Sequence, residues 1–401
     1  MGIKTAYKGY KAYDYLEKGT DLSDMELCAG EKRVPEYLIP LSQEQESRVL
    51  TLARETICIS LHEHPVLFPE NLQADVFEYN REGRQRCAYE ALSKGYFDVV
   101  FDNMMDGTCN IMSRGGWKWD EVLHDIGMRS CDLAHQDFAI KCETIEDIYR
   151  AHREGRIAVV FVLEGASPIE NEVDRLDILY GFGVRSMGIT YSETNGLGSG
   201  MKEENDGGLT LFGKKCVERM NRLGMLIDCS HSGDKTTMDT IQYSKKPIVL
   251  SHVGAKGLWN SKRLVDDDIL KACAAKGGLI GIEAAPHTTL TQAHPLHCVD
   301  SVMEHFEYVK DLVGIDHVSF GPDTLYGDHV GLHNAYARKL SIKAIQGEGF
   351  ERVEYVRGME NPTEAGKNIL RYLVKAGYSD EDIRKVAGGN ALRLLKEVWV
   401  R

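Results

Sequence analysis

The chain has 401 residues, of which 43% are hydrophobic and 27% charged, and a formal net charge of −13. That is the make-up of a globular protein with ample core. The acidic balance argues against nucleic acid and anionic membrane surfaces as partners, and no apolar run reaches the length of about 18 residues that a membrane-spanning helix needs.

Residues 1–50 are polar, with turn formers and little periodicity, and are expected to form an N-terminal extension packed on one larger unit, 51–401. Met1–Tyr10 has no apolar stretch behind its lysines, so no export signal is read there. The ten cysteines are scattered without a Cys-x-x-Cys pair, which leads to the expectation of free thiols in the cytoplasm. From Ile57 onward, short apolar runs alternate with helix-like stretches. The runs are Ile57–Leu61, Asp98–Phe101, Ile157–Leu163, Val184–Ile189, Met225–Asp228, Pro247–Leu250, Gly278–Ile282 and Val318–Gly321. Residues 65–95 read as a long loop plus a helix. Thr144 is placed to cap a helix with an acidic first turn, and Gly213–Leu223, Asp267–Ala275 and Val302–Leu312 carry apolar residues at helical spacing. Two helices, Ile369–Ala376 and Asp380–Leu395, end the chain. Continuous apolar strands alternating with helices indicate a parallel sheet covered on both faces. Eight of them fit an α/β fold of the (β/α)8, TIM-barrel type. An open doubly wound sheet would carry a glycine-rich phosphate loop after its first strand. Here His62-Glu63-His64-Pro65 follows instead.

In such a barrel the chemistry sits where strands end. The first run ends in His62-Glu63-His64, and residues two apart in an extended segment point the same way, so both imidazoles can reach one metal. The third ends in Glu164, a carboxylate too costly to bury unless it is paired or bound to a cation. The fifth ends in Asp228-Cys229-Ser230-His231, the sixth in Ser251-His252 and the eighth in Gly321-Pro322-Asp323. A lone histidine at a strand end is usually structural, and a lone Asp before a turn usually forms the turn. Four histidines and two carboxylates at five strand ends point instead to a metal site. His62, His64, Glu164, His231 and His252 are the expected ligands of one or two divalent ions, Zn2+ first and Mn2+ or Fe2+ next. Asp323 is the candidate acid–base group. The loop Asp102–Gly107 reads either as a turn or as part of the pocket rim, and the remaining histidines are left outside the site.

At these residues the sequence resembles the membrane (renal) dipeptidases and their bacterial relatives, within the metal-dependent amidohydrolase superfamily. The resemblance runs from Ile57 to the C-terminus. It is carried by Arg153-Glu154-Gly155-Arg156-Ile157-Ala158 leading into Glu164-Gly165, by Tyr180-Gly181-Phe182-Gly183-Val184-Arg185, and by Gly208–Gly213. It continues through Asn221–Asp228 into Cys229-Ser230-His231, Ser251-His252, Arg263, Phe320–Asp323 and Gly388–Arg393. It implies a (β/α)8 barrel with a binuclear zinc site that hydrolyses dipeptides. By position, Glu164 matches the carboxylate bridging two metals, His62 a ligand of the first, and His231 and His252 the ligands of the second. Arg263 matches an arginine that holds the substrate carboxylate, a task suited to a planar fork of donors, and Asp323 matches the acid–base group. Three positions depart from the family pattern. His64 stands in a motif that is normally His-x-Asp. Tyr191 replaces a histidine, and is expected to contact substrate and donate a hydrogen bond to a developing oxyanion. Glu164-Gly165-Ala166-Ser167 replaces Glu-Gly-Gly-His.

The leading expectation is therefore a metallohydrolase that cleaves an amide in a small carboxylate-bearing substrate such as a dipeptide. Arg263 reads equally well as a surface residue of the Asn260–Arg263 loop. A second expectation keeps the metal site for a cyclic amide or for C–C or C–N bond cleavage. A third is a non-catalytic barrel that has lost its first metal. A homodimer is the commonest assembly for soluble chains.

Overall fold

The computed structural model describes residues 4–112 and 116–400; residues 1–3 and 401, on which the reading of the two termini partly rests, lie outside it. Eleven strands form one sheet among the described residues. In chain order they are β1 (Ile59–Leu67), β2 (Arg86–Cys87), β3 (Val99–Asn103), β4 (Ala139–Lys141), β5 (Ile157–Leu163), β6 (Val184–Gly188), β7 (Leu226–Asp228), β8 (Val249–Val253), β9 (Leu279–Ile282), β10 (Val318–Phe320) and β11 (Leu325–Tyr326). The order across the sheet is β10-β9-β8-β7-β6-β5-β3-β1-β11. β4 lies beside β5, and β2 lies antiparallel to β1. Every other pairing is parallel. Each of the eight expected runs contributes one of these strands.

β1 corrects the expected strand end. The apolar run stops at Leu61, but the strand continues to Leu67, so His62 and His64 lie inside it rather than beyond it. Pro65 is tolerated there because β1 is flanked in its second half only by the short strands β2 and β11. Residues 65–95, expected as a long loop plus a helix, hold the end of β1, a helix at Leu72–Glu82, β2 and a second helix at Tyr89–Lys94.

The sheet curls until its two ends meet. After β10, the amide of Asp323 donates to the carbonyl of His62 (3.1 Å) and the amide of His64 to the carbonyl of Thr324 (3.0 Å). β11 then pairs with β1 at His64 and Leu325. Glu63, fully buried, fastens this junction by accepting from Ser60 Oγ (2.6 Å) and the Thr324 amide (3.0 Å). The fold is thus mixed α/β around a curled parallel sheet. Alternate residues of the strands feed two cores. Val159, Phe161 and Leu163 pack with Leu176, Cys216 and Met220 of the flanking helices. Ala158, Val160 and Val162 join Phe101, Leu226, Val249 and Leu279 in a second cluster that includes Leu394, Val398 and Trp399 at the end of the chain.

Among the described residues, the segment before the first helix (Gln43–Glu55) has no regular element longer than a bridge, and it is held by specific contacts. Lys4 pairs with Asp98, both buried. The amide of Tyr13 and the hydroxyl of Tyr10 both donate to Asp132 (2.7 and 2.8 Å), and the amide of Ile39 to Asn368 Oδ1 (2.9 Å). The helix Gln43–Glu55, capped by Ser42, runs through residue 50.

Candidate active site

The expected ligands converge on Glu164. Its Oε1 lies 3.1 Å from His62 Nε2, 3.5 Å from His231 Nε2 and 3.4 Å from His252 Nε2, and the last two nitrogens are 3.0 Å apart. Two bulges aim these rings. The register of β1 against β3 shifts between Ser60 and Glu63, and that of β8 against β9 between Leu250 and Val253. Bulges re-aim side chains, and here they flank His62 and His252, whose rings stack with centroids 3.8 Å apart. β6 approaches from the other side: a Cβ on Gly188 would overlap the carbonyl of Glu164, so only glycine lets this strand lie so close.

Further groups fix the orientation of the ligands. Ser251 Oγ lies 2.7 Å from His252 Nδ1 and also bonds Asp228, while Ser230 Oγ donates to Asp228 Oδ1 (2.7 Å). Asp228 thereby ties together the ends of β7 and β8. Asn103 Nδ2 donates to Glu164 Oε2 (2.8 Å), which leaves Oε1 for the imidazoles. His64 sits between two carboxylates, with Nδ1 2.7 Å from Asp106 and Nε2 2.7 Å from Asp323. Asp323 has φ +56°, the left-handed region that Asp tolerates better than most residues. That turn brings its carboxylate to His64 and within 3.6 Å of His62.

The electrostatics follow from burial and these pairings. Burial alone would raise Glu164, but His62, His231 and His252 hold it well below the usual carboxylate range. Burial opposes ionisation of Asp323 too, and His64 and His62 override it. Burial, helped by the neighbouring His62, pushes His252 down to about 3. His231 is lowered by burial and by Arg263. Both imidazoles are therefore neutral, as a metal ligand must be.

The donor set fits a bound divalent ion. Metal–nitrogen bonds of about 2.0–2.1 Å at tetrahedral angles put ligand atoms about 3.3 Å from one another, close to the separations around Glu164 Oε1. His62 Nε2 is buried and makes no hydrogen bond among the described residues despite its 3.1 Å approach to Glu164. Two groups bring their ligand atoms within 4.8 Å of each other, His62/Glu164/His252 and His62/His64/Asp323.

The other two expected residues also border this cavity. The Tyr191 ring stacks on His231 (4.2 Å) and meets Trp117 edge-on (4.6 Å). Burial, with Glu164 and Asp323 nearby, raises its hydroxyl well above the ordinary value. Arg263 is 2% exposed, not a surface residue. Its guanidinium donates to the carbonyls of Ser230 (2.9 Å) and His252 (2.7 Å) and lies 2.7 Å from Glu283. Burial pushes Glu283 up to about 8 in spite of Arg263. The cavity is tight, about 50 Å³, and is roofed by residues 329–346, among them His329, Leu332, His333 and Ile345. The sequence reading left Asn103 in a loop open between turn and pocket rim, and missed Glu283, His329 and His333. Only the last two carried a local signal, two histidines four apart on one helical face. Asp106 answers the open question about the 102–107 loop, since it borders the cavity.

The comparisons agree with this geometry. The sequence model of the family described as membrane dipeptidase (peptidase family M19) matches residues 47–354. The chain is 26% identical over 289 residues to dipeptidase aclJ of Aspergillus oryzae, covering 69% of this chain and 62% of that protein. It spans 45% to 64% of the lengths of the curated dipeptidases it matches. Among solved structures it is similar to an amidohydrolase from Pseudomonas aeruginosa (25% identity, TM-score 0.71, covering 88% of this chain and 99% of the other). It also shares its fold with a metallopeptidase from Rhodobacter sphaeroides liganded with a phosphinate mimic of the dipeptide L-Ala-D-Ala (20% identity, TM-score 0.65, 86% and 100% covered). The chain belongs to the membrane dipeptidase family.

Proposed function

We propose that the chain is a metal-dependent dipeptidase that cleaves the amide bond of a small carboxylate-bearing substrate. The observation that carries this reading is the ring of three imidazole nitrogens around Glu164 Oε1, at ligand-to-ligand distances, inside a cavity that also holds Asp323. The names of the similar dipeptidases and the dipeptide mimic bound to the Rhodobacter metallopeptidase support the substrate class. The curled sheet is taken as a closed (β/α)8 barrel over 51–401, with 1–50 as an extension fastened to it.

His62 and His64 would hold one ion, His231 and His252 a second, and Glu164 would lie between them; zinc suits the nitrogen-rich set. An ion held there supplies a Lewis acid for the scissile carbonyl and a water of lowered pKa. Asp323, a carboxylate beside His62 and His64, accepts the proton of the attacking water and delivers it to the leaving amine. Tyr191, kept protonated, donates to the developing oxyanion. Arg263 faces the substrate carboxylate. The ten cysteines are all free, which favours a reducing compartment, the cytoplasm. Among the described residues no helix is long and apolar enough to cross a membrane.

One observation favours the second expectation, a non-peptide amide or a lyase reaction on the same site. The Arg263 fork is already engaged by two carbonyls and Glu283, so less of it is free for a substrate carboxylate. Dipeptide turnover by metal-loaded protein separates the two readings, and Asp323→Asn tests the acid–base role. In zinc-loaded protein that retains its metal, this change is expected to lower kcat on a dipeptide by about 10²- to 10⁴-fold. An unchanged kcat would remove Asp323 from the mechanism.

A further inference from the structure

The roof of the cavity carries polar groups that the reaction does not use. His329 and His333 lie one turn apart on the helix His329–Ala335, with ring centroids 4.5 Å apart. The His329 ring meets His64 edge-on at 6.2 Å. Both histidines line the same cavity as Glu164 and Asp323. His333 Nδ1 is buried and has no hydrogen-bond partner among the described residues. Around them Leu332, Leu340, Ile342 and Ile345 are apolar and limit the size of what can enter. The roof is held down at its far end, where the amide of Arg263 donates to the carbonyl of Ile345 (3.2 Å) and Gln346 Nε2 to that of Pro286 (2.6 Å).

We propose that His329 and His333 form a substrate subsite that takes an uncharged hydrogen-bonding group, an amide or a hydroxyl, on one residue of the dipeptide. This rests on the dipeptidase reading and adds the substrate's side-chain class to it. An apolar side chain would leave His333 Nδ1 buried and unpaired, which is unfavourable. An anionic group would face Asp106 and Asp323, the carboxylates on the same cavity wall as His64. A neutral imidazole both donates and accepts, which is the complement of an amide or hydroxyl.

The test compares near-isosteric side chains, Asn against Leu, at each position of a dipeptide: Asn-Gly, Leu-Gly, Gly-Asn and Gly-Leu. With zinc-loaded wild-type protein, kcat/KM is expected to favour Asn about tenfold at one of the two positions, mainly through KM. His333→Leu is expected to bring that ratio to within about twofold, and His333→Gln, which keeps a donor and an acceptor, to restore part of it. No Asn preference at either position, or a preference that survives His333→Leu unchanged, overturns the proposal. Should the wild type cleave none of the four, a wider panel with L- and D-residues decides the dipeptidase reading, and calorimetric binding of the same four peptides to the metal-loaded protein decides the subsite alone. Tighter binding of an Asn peptide that is lost in His333→Leu and regained in His333→Gln supports it. Equal binding of Asn and Leu peptides, or no binding, overturns it.

Discussion

Glu164 stands at the end of the strand whose apolar run is the longest in the sheet, and it stays charged there only because three imidazoles and Asn103 surround it. Glu164→Gln is expected to abolish tight metal binding, measured as bound metal after dialysis. It should also destabilise the metal-free protein less than Glu164→Ala does, because the amide keeps the shape and a hydrogen bond to its neighbours. Asp106→Asn should act more mildly. It weakens the group that orients His64 Nδ1 and, like other outer partners of ligands, is expected to cost about 10- to 100-fold in metal affinity. At this scale much was legible. His62, Glu164, His231, His252 and Asp323 each follow or interrupt an apolar run, and the physical cost of burying them there is readable from the sequence. Asn103 and Glu283 were not, since their roles depend on which strands become neighbours, and Asp106 was legible only as part of a loop that reads either as a turn or as pocket rim. The engagement of Arg263 by Glu283 likewise joins residues from separate loops.

The elements were readable where a run of apolar residues stands between helix-like stretches, as in β5, and unreadable where no such run marks the strand. β2 and β11 have two residues each, and β4 three. The extension of β1 through His62-Glu63-His64-Pro65 is a tertiary effect, created by the pairing of β11 and by Glu63 holding Thr324. The bulges in β1 and β8 are equally invisible in sequence, yet they aim two of the ligands. Close strand packing at Gly188 makes a prediction at this scale. Gly188→Ala pushes a methyl group into the Glu164 backbone, so it is expected to destabilise the fold by about 1–3 kcal/mol and to weaken metal binding. Urea unfolding and a metal titration of the same variant would read both.

Over the whole molecule, the segment before Gln43 is held to the sheet by a buried ion pair, Lys4–Asp98, with His152 3.2 Å from the same carboxylate. Burial would raise Asp98, but Lys4 and His152 hold it below its ordinary value. Its contribution to stability is therefore complete above about pH 4, the unfolded carboxylate value, and is lost as the pH falls through the lower folded value. Lys4→Met leaves the buried Asp98 carboxylate with only His152 and the Cys58 amide as partners and is expected to cost about 3 kcal/mol, the low end for breaking a buried pair, with less of a penalty in acid than at pH 7. Equal stability of variant and wild type at pH 7 would mean that the segment is not fastened through this pair.

The most direct test of the metal-dependent dipeptidase assignment is hydrolysis of a dipeptide panel, with L- and D-residues at the C-terminal position, by protein stripped of metal and reloaded with Zn2+ or Mn2+. The expected result is turnover that appears on reloading and is absent in His231→Ala and Asp323→Asn. Protein that demonstrably holds its metal and cleaves no dipeptide would contradict the assignment, and would turn the same site toward a cyclic amide or a lyase substrate.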